Sequence, residues 1–135
     1  MASGEFATAI NCIDGRAQQP VADWLKLNQH VRYVDAITEP GVDKVLAEGS
    51  PEQIEAIRRK VLISVNAHGS RAIAVAGHHD CAGNPVSKEE HLEHIRRSVE
   101  TIAAWGLPVQ VIGLWVNELF WIEEVCAVDG RRIDG

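Results

Sequence analysis

Three side chains in this chain of 135 residues are of types that bind soft or borderline metals: Cys12, His78 and Cys81. His78 and Cys81 stand three apart in Gly77-His78-His79-Asp80-Cys81-Ala82-Gly83, where the apolar run Arg71–Ala76 ends. Taken alone, H-x-x-C is more often a satisfied loop histidine beside a buried cysteine. It gains weight from a second stretch, Cys12-Ile13-Asp14-Gly15-Arg16, which also follows an apolar run, Phe6 to Ile10. A Cys, His, Cys set leaves one tetrahedral position open, as in a catalytic zinc site and unlike a closed structural one. Asp14 could fill that position itself. Arg16 would instead hold its carboxylate in a bidentate pair, off the metal and free to accept a hydrogen bond from a metal-bound water. A simple loop salt bridge is the bland alternative. Further candidates for the fourth position are His79, which adjoins a ligand, Cys126, better read as a small core residue, and Glu39, at the carboxyl end of a strand.

The elements that must position these residues follow from periodicity. Phe6–Cys12 reads as a first strand buried on both faces, and Arg16–Pro20 as a loop whose proline opens a helix. Val21, Trp24, Leu25 and Asn28 share one helical stripe. His30–Ile37 alternates as a second strand and ends in the turn Thr38-Glu39-Pro40-Gly41; a short helix over 42–47 follows. Ser50-Pro51-Glu52-Gln53 is a helix start, and Ile54, Ile57, Val61, Leu62 and Val65 continue it to His68-Gly69. Ala72–Ala76 is the third strand. Ser87-x-x-Glu90 is a second capping box, opening a helix to about Ala104 with Leu92, Ile95, Val99 and Ile102 inward. Pro108–Val116 is the fourth strand. Beyond it, Asp129-Gly130 is a hairpin dipeptide between two β-prone segments within 119–133.

Strands joined by helical connections call for parallel pairing and right-handed crossovers. The expectation is one α/β domain over 1–135, three layers deep, with a mostly parallel sheet in the order 2-1-3-4. In that order the switch point lies between the first and third strands. Cys12 ends one and His78 and Cys81 follow the other, so the two motifs should meet.

Composition narrows the function. Hydrophobic residues make 46% and charged ones 24%, as in an ordinary globular protein. A net charge of -6 opposes a nucleic-acid surface, and the arginine pairs at 58–59, 96–97 and 131–132 are each too short to form a basic patch. No apolar run is long enough to span a membrane and no export signal is visible. Three cysteines in such a chain suggest a reducing cytoplasm. His91 and His94, among Glu89, Glu90 and Glu93, read as a solvated helix face, while His30 and His68 receive no role. The four tryptophans read as core or interface. A cysteine-phosphatase loop is excluded because Gln18 stands where C-x5-R needs arginine. No C-x-x-C pair, Walker loop or G-x-G-x-x-G occurs.

At Cys12, Asp14, Arg16, His78 and Cys81 the sequence resembles the β-class carbonic anhydrases, which carry C-x-D-x-R after the first strand and G-H-x-x-C after the third. Gly77, Asp80 and Gly83 fit the surrounding pattern, and the resemblance spans roughly residues 6 to 116. Gly15 stands where the family usually has serine. Its R-N-A-G-N-like segment is replaced near Thr38–Gly41, and its N-terminal helices are lacking. The resemblance implies a Rossmann-like β-carbonic anhydrase fold and one Zn²⁺ per chain on Cys12, His78 and Cys81. It implies a catalytic dyad of Asp14 and Arg16, and assembly as a homodimer or higher oligomer. The implied activity is that of a lyase of the carbonate dehydratase type, hydrating CO2 reversibly to bicarbonate through a metal-bound hydroxide, with His79 a candidate proton relay. Hydrolysis of COS or CS2 at the same site is the alternative within enzymes. A non-catalytic zinc-binding or regulatory domain is the alternative outside them.

Overall fold

In the computed structural model, which describes residues 4–131, the chain runs β1 (Phe6–Asn11), α1 (Gly15–Gln29), β2 (Tyr33–Thr38), α2 (Val42–Glu48), α3 (Pro51–His68), β3 (Ala72–His78), α4 (Lys88–Ala103), β4 (Gln110–Val116) and β5 (Ile122–Asp129). The sheet order is β2-β1-β3-β4-β5. The first four strands are parallel, in the expected order 2-1-3-4, and β5 adds antiparallel to β4. Successive side chains of a strand point to opposite faces, so each strand feeds two cores. On one face Ala7, Ala9, Ala74 and Ala76 leave room for Val21 and Leu25 of α1. On the other, Ile10, Ile73 and Val75 pack with Leu46 of α2, Ile57 and Val61 of α3 and Val99 and Ile102 of α4. These are the three layers. None of the described helices is long and apolar enough to cross a membrane.

Local chemistry explains where the elements start and stop. The Ser50–Gln53 capping box forms in both directions, and Gly69 ends α3 at φ 65°. Ser87 accepts the Glu90 N–H at the start of α4. The stretch 16–20, expected as a loop, is helical from Gly15, because the Asp14 side chain caps the helix by accepting the Arg16 N–H. Pro20 consequently lies inside α1 rather than in its first turn, where it forgoes one backbone bond. His30 does not begin β2; it ends α1 in the left-handed conformation, φ 54°.

The end of the chain also differs from expectation. The hairpin turn lies at Asn117–Trp121, not at Asp129-Gly130. Asn117 Oδ1 accepts the N–H groups of Leu119 and Trp121, doing the work expected of the Asp-Gly pair. Asp129-Gly130 closes β5, and the rest of the β-prone segment expected after it, 132–133, lies outside the described residues.

The largest correction concerns His91 and His94. Both are buried, at 2% and 8% exposure, rather than solvated. Their partners are the buried Asp43 of α2 and Asn84, which no helical periodicity of α4 alone reveals. Of the tryptophans, Trp115 is buried, Trp24 is partly buried against the cluster that holds Val21 and Leu25, and Trp121 is 69% exposed.

Two glycines join the β2–α2 turn to the loop after β3. Gly41 has φ 58°, and a Cβ there would lie 2.5 Å from the Gly83 carbonyl oxygen. Backbone strain and overlap would act together on a side chain at this position. Gly41→Ala is therefore expected to cost about 3 kcal/mol of folding stability, read from the denaturant midpoint.

Candidate metal centre

Parallel pairing of β1 with β3, in the register Thr8↔Ile73 through Ile10↔Val75, brings the carboxyl ends of these strands side by side. Cys12 follows β1 directly, His78 is the last residue of β3, and the chain then turns back through Asp80 at φ 58° to deliver Cys81. Aspartate is among the few side chains that tolerate this left-handed conformation. The residues expected to meet do meet. Their ligand atoms lie within 4.8 Å of one another, and all three residues are buried. The Cys12 and Cys81 Sγ atoms are 3.9 Å apart, far beyond a disulfide bond, and both thiols are free.

The histidine is oriented for ligation. Its Nδ1 donates to the His79 carbonyl oxygen at 2.8 Å, which leaves the lone pair on Nε2. Nε2 is buried without a hydrogen-bonding partner. An unpartnered buried nitrogen is costly in a protein interior unless something else occupies its lone pair. Two thiols converging with it make a donor set suited to zinc, and the residues present fit that ion.

Beside this cluster, Arg16 grips Asp14 through two parallel bonds, Nε to Oδ1 at 3.0 Å and Nη2 to Oδ2 at 2.7 Å. The Arg16 backbone N–H adds a third at 2.9 Å. The same guanidinium reaches the other motif, with Nη2 donating to the Asp80 carbonyl at 3.2 Å and Nη1 to Asp80 Oδ2 at 3.4 Å. It also lies over the Phe120 ring, 5.7 Å from its centroid. Arg16 thus ties the Cys12 loop to the Cys81 loop, a bridging role that spacing alone did not reveal. Asp80 stood inside the motif and offered a hint of it, but Phe120, far along the chain, offered none.

The Arg16 hydrogen bond is the main reason that the Asp14 carboxyl is held down to about 2, against an ordinary value of 3.8. Because the folded value is the lower one, the pair supports the fold fully above pH ~4 and loses that support as pH falls through about 2. A carbon-detected NMR titration is expected to show Asp14 ionised throughout the neutral range, with its midpoint well below the ordinary carboxylate value of 3.8.

The other candidates stand apart from the cluster. Asp14 and Glu39 are not members of it; Glu39 is half-buried, its N–H donating to the Asn11 carbonyl. His79 is exposed, and its contribution here is the carbonyl that orients His78. Cys126 lies in β5 with its sulfur toward Gly113, and burial pushes its thiol up. His68 is bonded to Asp35 at 2.7 Å on α3, and His30 is exposed at a helix end.

A family model described as "Putative carbonic anhydrase" matches residues 2–126 of the chain. Among solved structures, the fold is similar to that of a β-carbonic anhydrase from the ascomycete Sordaria macrospora, described as tetrameric. The TM-score is 0.51 at 15% identity, covering 95% of this chain and 83% of that one. A β-carbonic anhydrase of Aspergillus fumigatus is also similar, at 14% identity and a TM-score of 0.49, covering 96% of this chain and 77% of that one. At 15% identity the likeness to the Sordaria macrospora structure is one of fold. No curated protein sequence matches.

Proposed function

Because the chain belongs to the carbonic anhydrase family whose model it matches over residues 2–126, we propose that it hydrates CO2 reversibly to bicarbonate, using one Zn²⁺ held by Cys12, His78 and Cys81. The observation that carries the proposal is the convergence of two thiols with an imidazole nitrogen that is buried and has no other partner. When bound, zinc supplies the Lewis acidity that makes water a nucleophile near neutral pH.

The chain's own residues do the rest. Asp14 Oδ1 accepts two of the Arg16 bonds, whereas Oδ2 accepts one and retains a lone-pair direction. Asp14 accepts a hydrogen bond from the nucleophilic water and so aims an oxygen lone pair at the carbon of CO2. Arg16 keeps that carboxylate ionised, acceptor-only and off the metal. Hydration of CO2 by one water yields bicarbonate and one proton, and the proton leaves to buffer. His79, exposed and next to His78 in the chain, is the candidate relay for it.

The same reading includes a homodimer or larger homo-oligomer. Leu119 and Trp121 at the β4–β5 turn are exposed at 62% and 69%, a placement that favours burial against another copy. Three free thiols favour a reducing compartment such as the cytoplasm.

The proposal is tested by isotope exchange at chemical equilibrium. Zinc-loaded protein is expected to speed loss of ¹⁸O from labelled CO2 into water, in proportion to bound zinc. Exchange no faster than in buffer would refute it.

A further inference from the structure

Behind the candidate metal centre lies a polar cluster that the proposed chemistry does not use. Asp43 of α2, Asn84 after β3 and His91 and His94 of α4 are all buried, Asp43 to 1% exposure and Asn84 completely. His91 Nδ1 donates to Asp43 Oδ2 at 2.6 Å. Asn84 Nδ2 donates to Asp43 Oδ1 at 3.2 Å and to His94 Nδ1 at 3.0 Å. The Asp43 backbone is held as well, its carbonyl accepting from Ser98 Oγ at 2.8 Å. The position of this carboxylate is therefore set by α4 on one side and by the loop on the other.

Its placement relative to the ligands is specific. Asp43 Oδ2 abuts Gly77, where a Cβ would lie 2.7 Å away. Asp43 Oδ1 receives Asn84. One carboxylate thus touches both ends of the segment Gly77–Asn84, which carries His78 and Cys81 between them. Within that segment the Asn84 N–H donates to the Cys81 carbonyl, passing the restraint to the cysteine. A buried carboxylate is costly and apolar side chains would fill a core as well. What apolar packing would not supply is a directional tie at each end of this segment.

We propose that Asp43, braced by His91, is a positioning residue for the metal centre: it fixes the separation of His78 and Cys81 before the ion arrives. The inference rests on the reading of those residues as zinc ligands, but not on the reaction. Outer-shell partners of this kind change metal affinity when removed, by about 10–100-fold.

The test measures zinc affinity by competition with a chromophoric chelator, together with the absorption spectrum of the Co²⁺-substituted protein, and does not read turnover. Asp43→Ala and Asn84→Ala are expected to weaken zinc binding about 10–100-fold and to alter the Co²⁺ ligand-field bands. Asp43→Asn, which keeps the shape and one acceptor oxygen, is expected to recover most of the loss. Should one alanine variant fail to fold, the other together with Asp43→Asn decides. Wild-type affinity and spectrum in the folded variants, with only the apo-protein's denaturation midpoint lowered, would reduce the cluster to core packing and overturn the inference alone. A wild-type chain that binds no zinc would overturn the inference and the ligand assignment together. Zinc-binding protein that fails to hydrate CO2 but shows the expected affinity losses would sustain the inference and refute only the reaction.

Discussion

Cys81→Ala protein is expected to leave a gel-filtration column with almost no zinc, while the wild type carries one per chain. Cys12 and Cys81 present sulfurs 3.9 Å apart, and His78 completes the set with a nitrogen whose other side is occupied by the His79 carbonyl. Among the described residues these three form the cluster, and Asp14 and Glu39 stand outside it. Zinc bound by a few thiolates and imidazoles is held by roughly 10–16 kcal/mol. Loss of one ligand of three removes on the order of 3–4 kcal/mol, or 10²–10³ in affinity. The fold is expected to survive, because the strands that deliver the ligands belong to apolar cores on both sheet faces. Metal content by atomic absorption and folding by circular dichroism separate the two effects. Full zinc retention by folded Cys81→Ala would contradict the ligand assignment.

The second large effect concerns Asp14, which has two separable jobs. Its side chain caps α1 and also presents the carboxylate gripped by Arg16. Asp14→Asn retains an oxygen that can cap the helix but loses the charge and the bidentate pair, so its stability is expected to fall little. Its kcat/KM for CO2 hydration is expected to drop about 10²–10³-fold with zinc still bound, as when one preorganised proton acceptor or hydrogen-bonding group is removed elsewhere. Asp14→Ala adds loss of the cap, about 1 kcal/mol, to the same loss of rate. Equal rates in wild type and Asp14→Asn would leave the Asp14–Arg16 pair as a loop salt bridge with no part in catalysis.

Much of this was legible in the sequence because the informative signals were local. Alternation in Ala72–Ala76, the Ser50–Gln53 box and the position of Gly69 each specify a boundary from residues within a few places of it. The long helical connections call for parallel strands, and the order 2-1-3-4 expected for a short chain of this kind brings Cys12 to meet His78 and Cys81. Misreadings arose where a local signal had two meanings. Asp14 reads as a carboxylate for chemistry, yet its capping of α1 turned an expected loop into helix. Asn117 made a hairpin turn without glycine or proline, through its own side chain. His91 and His94 alternate with glutamates that are indeed solvated. The partners that bury those histidines, Asp43 and Asn84, come from elements far away in the chain and leave no trace in α4's own pattern. Arg16's contact with Phe120 is hidden for the same reason.

The most direct test of the central claim is stopped-flow CO2 hydration by protein whose zinc content has been counted, at several zinc occupancies. The account predicts an initial rate that rises linearly with bound zinc and falls to the buffer rate in Cys81→Ala. A fully zinc-loaded, folded chain that adds nothing to the buffer rate would contradict it, and the site would then have to be tried on COS and CS2.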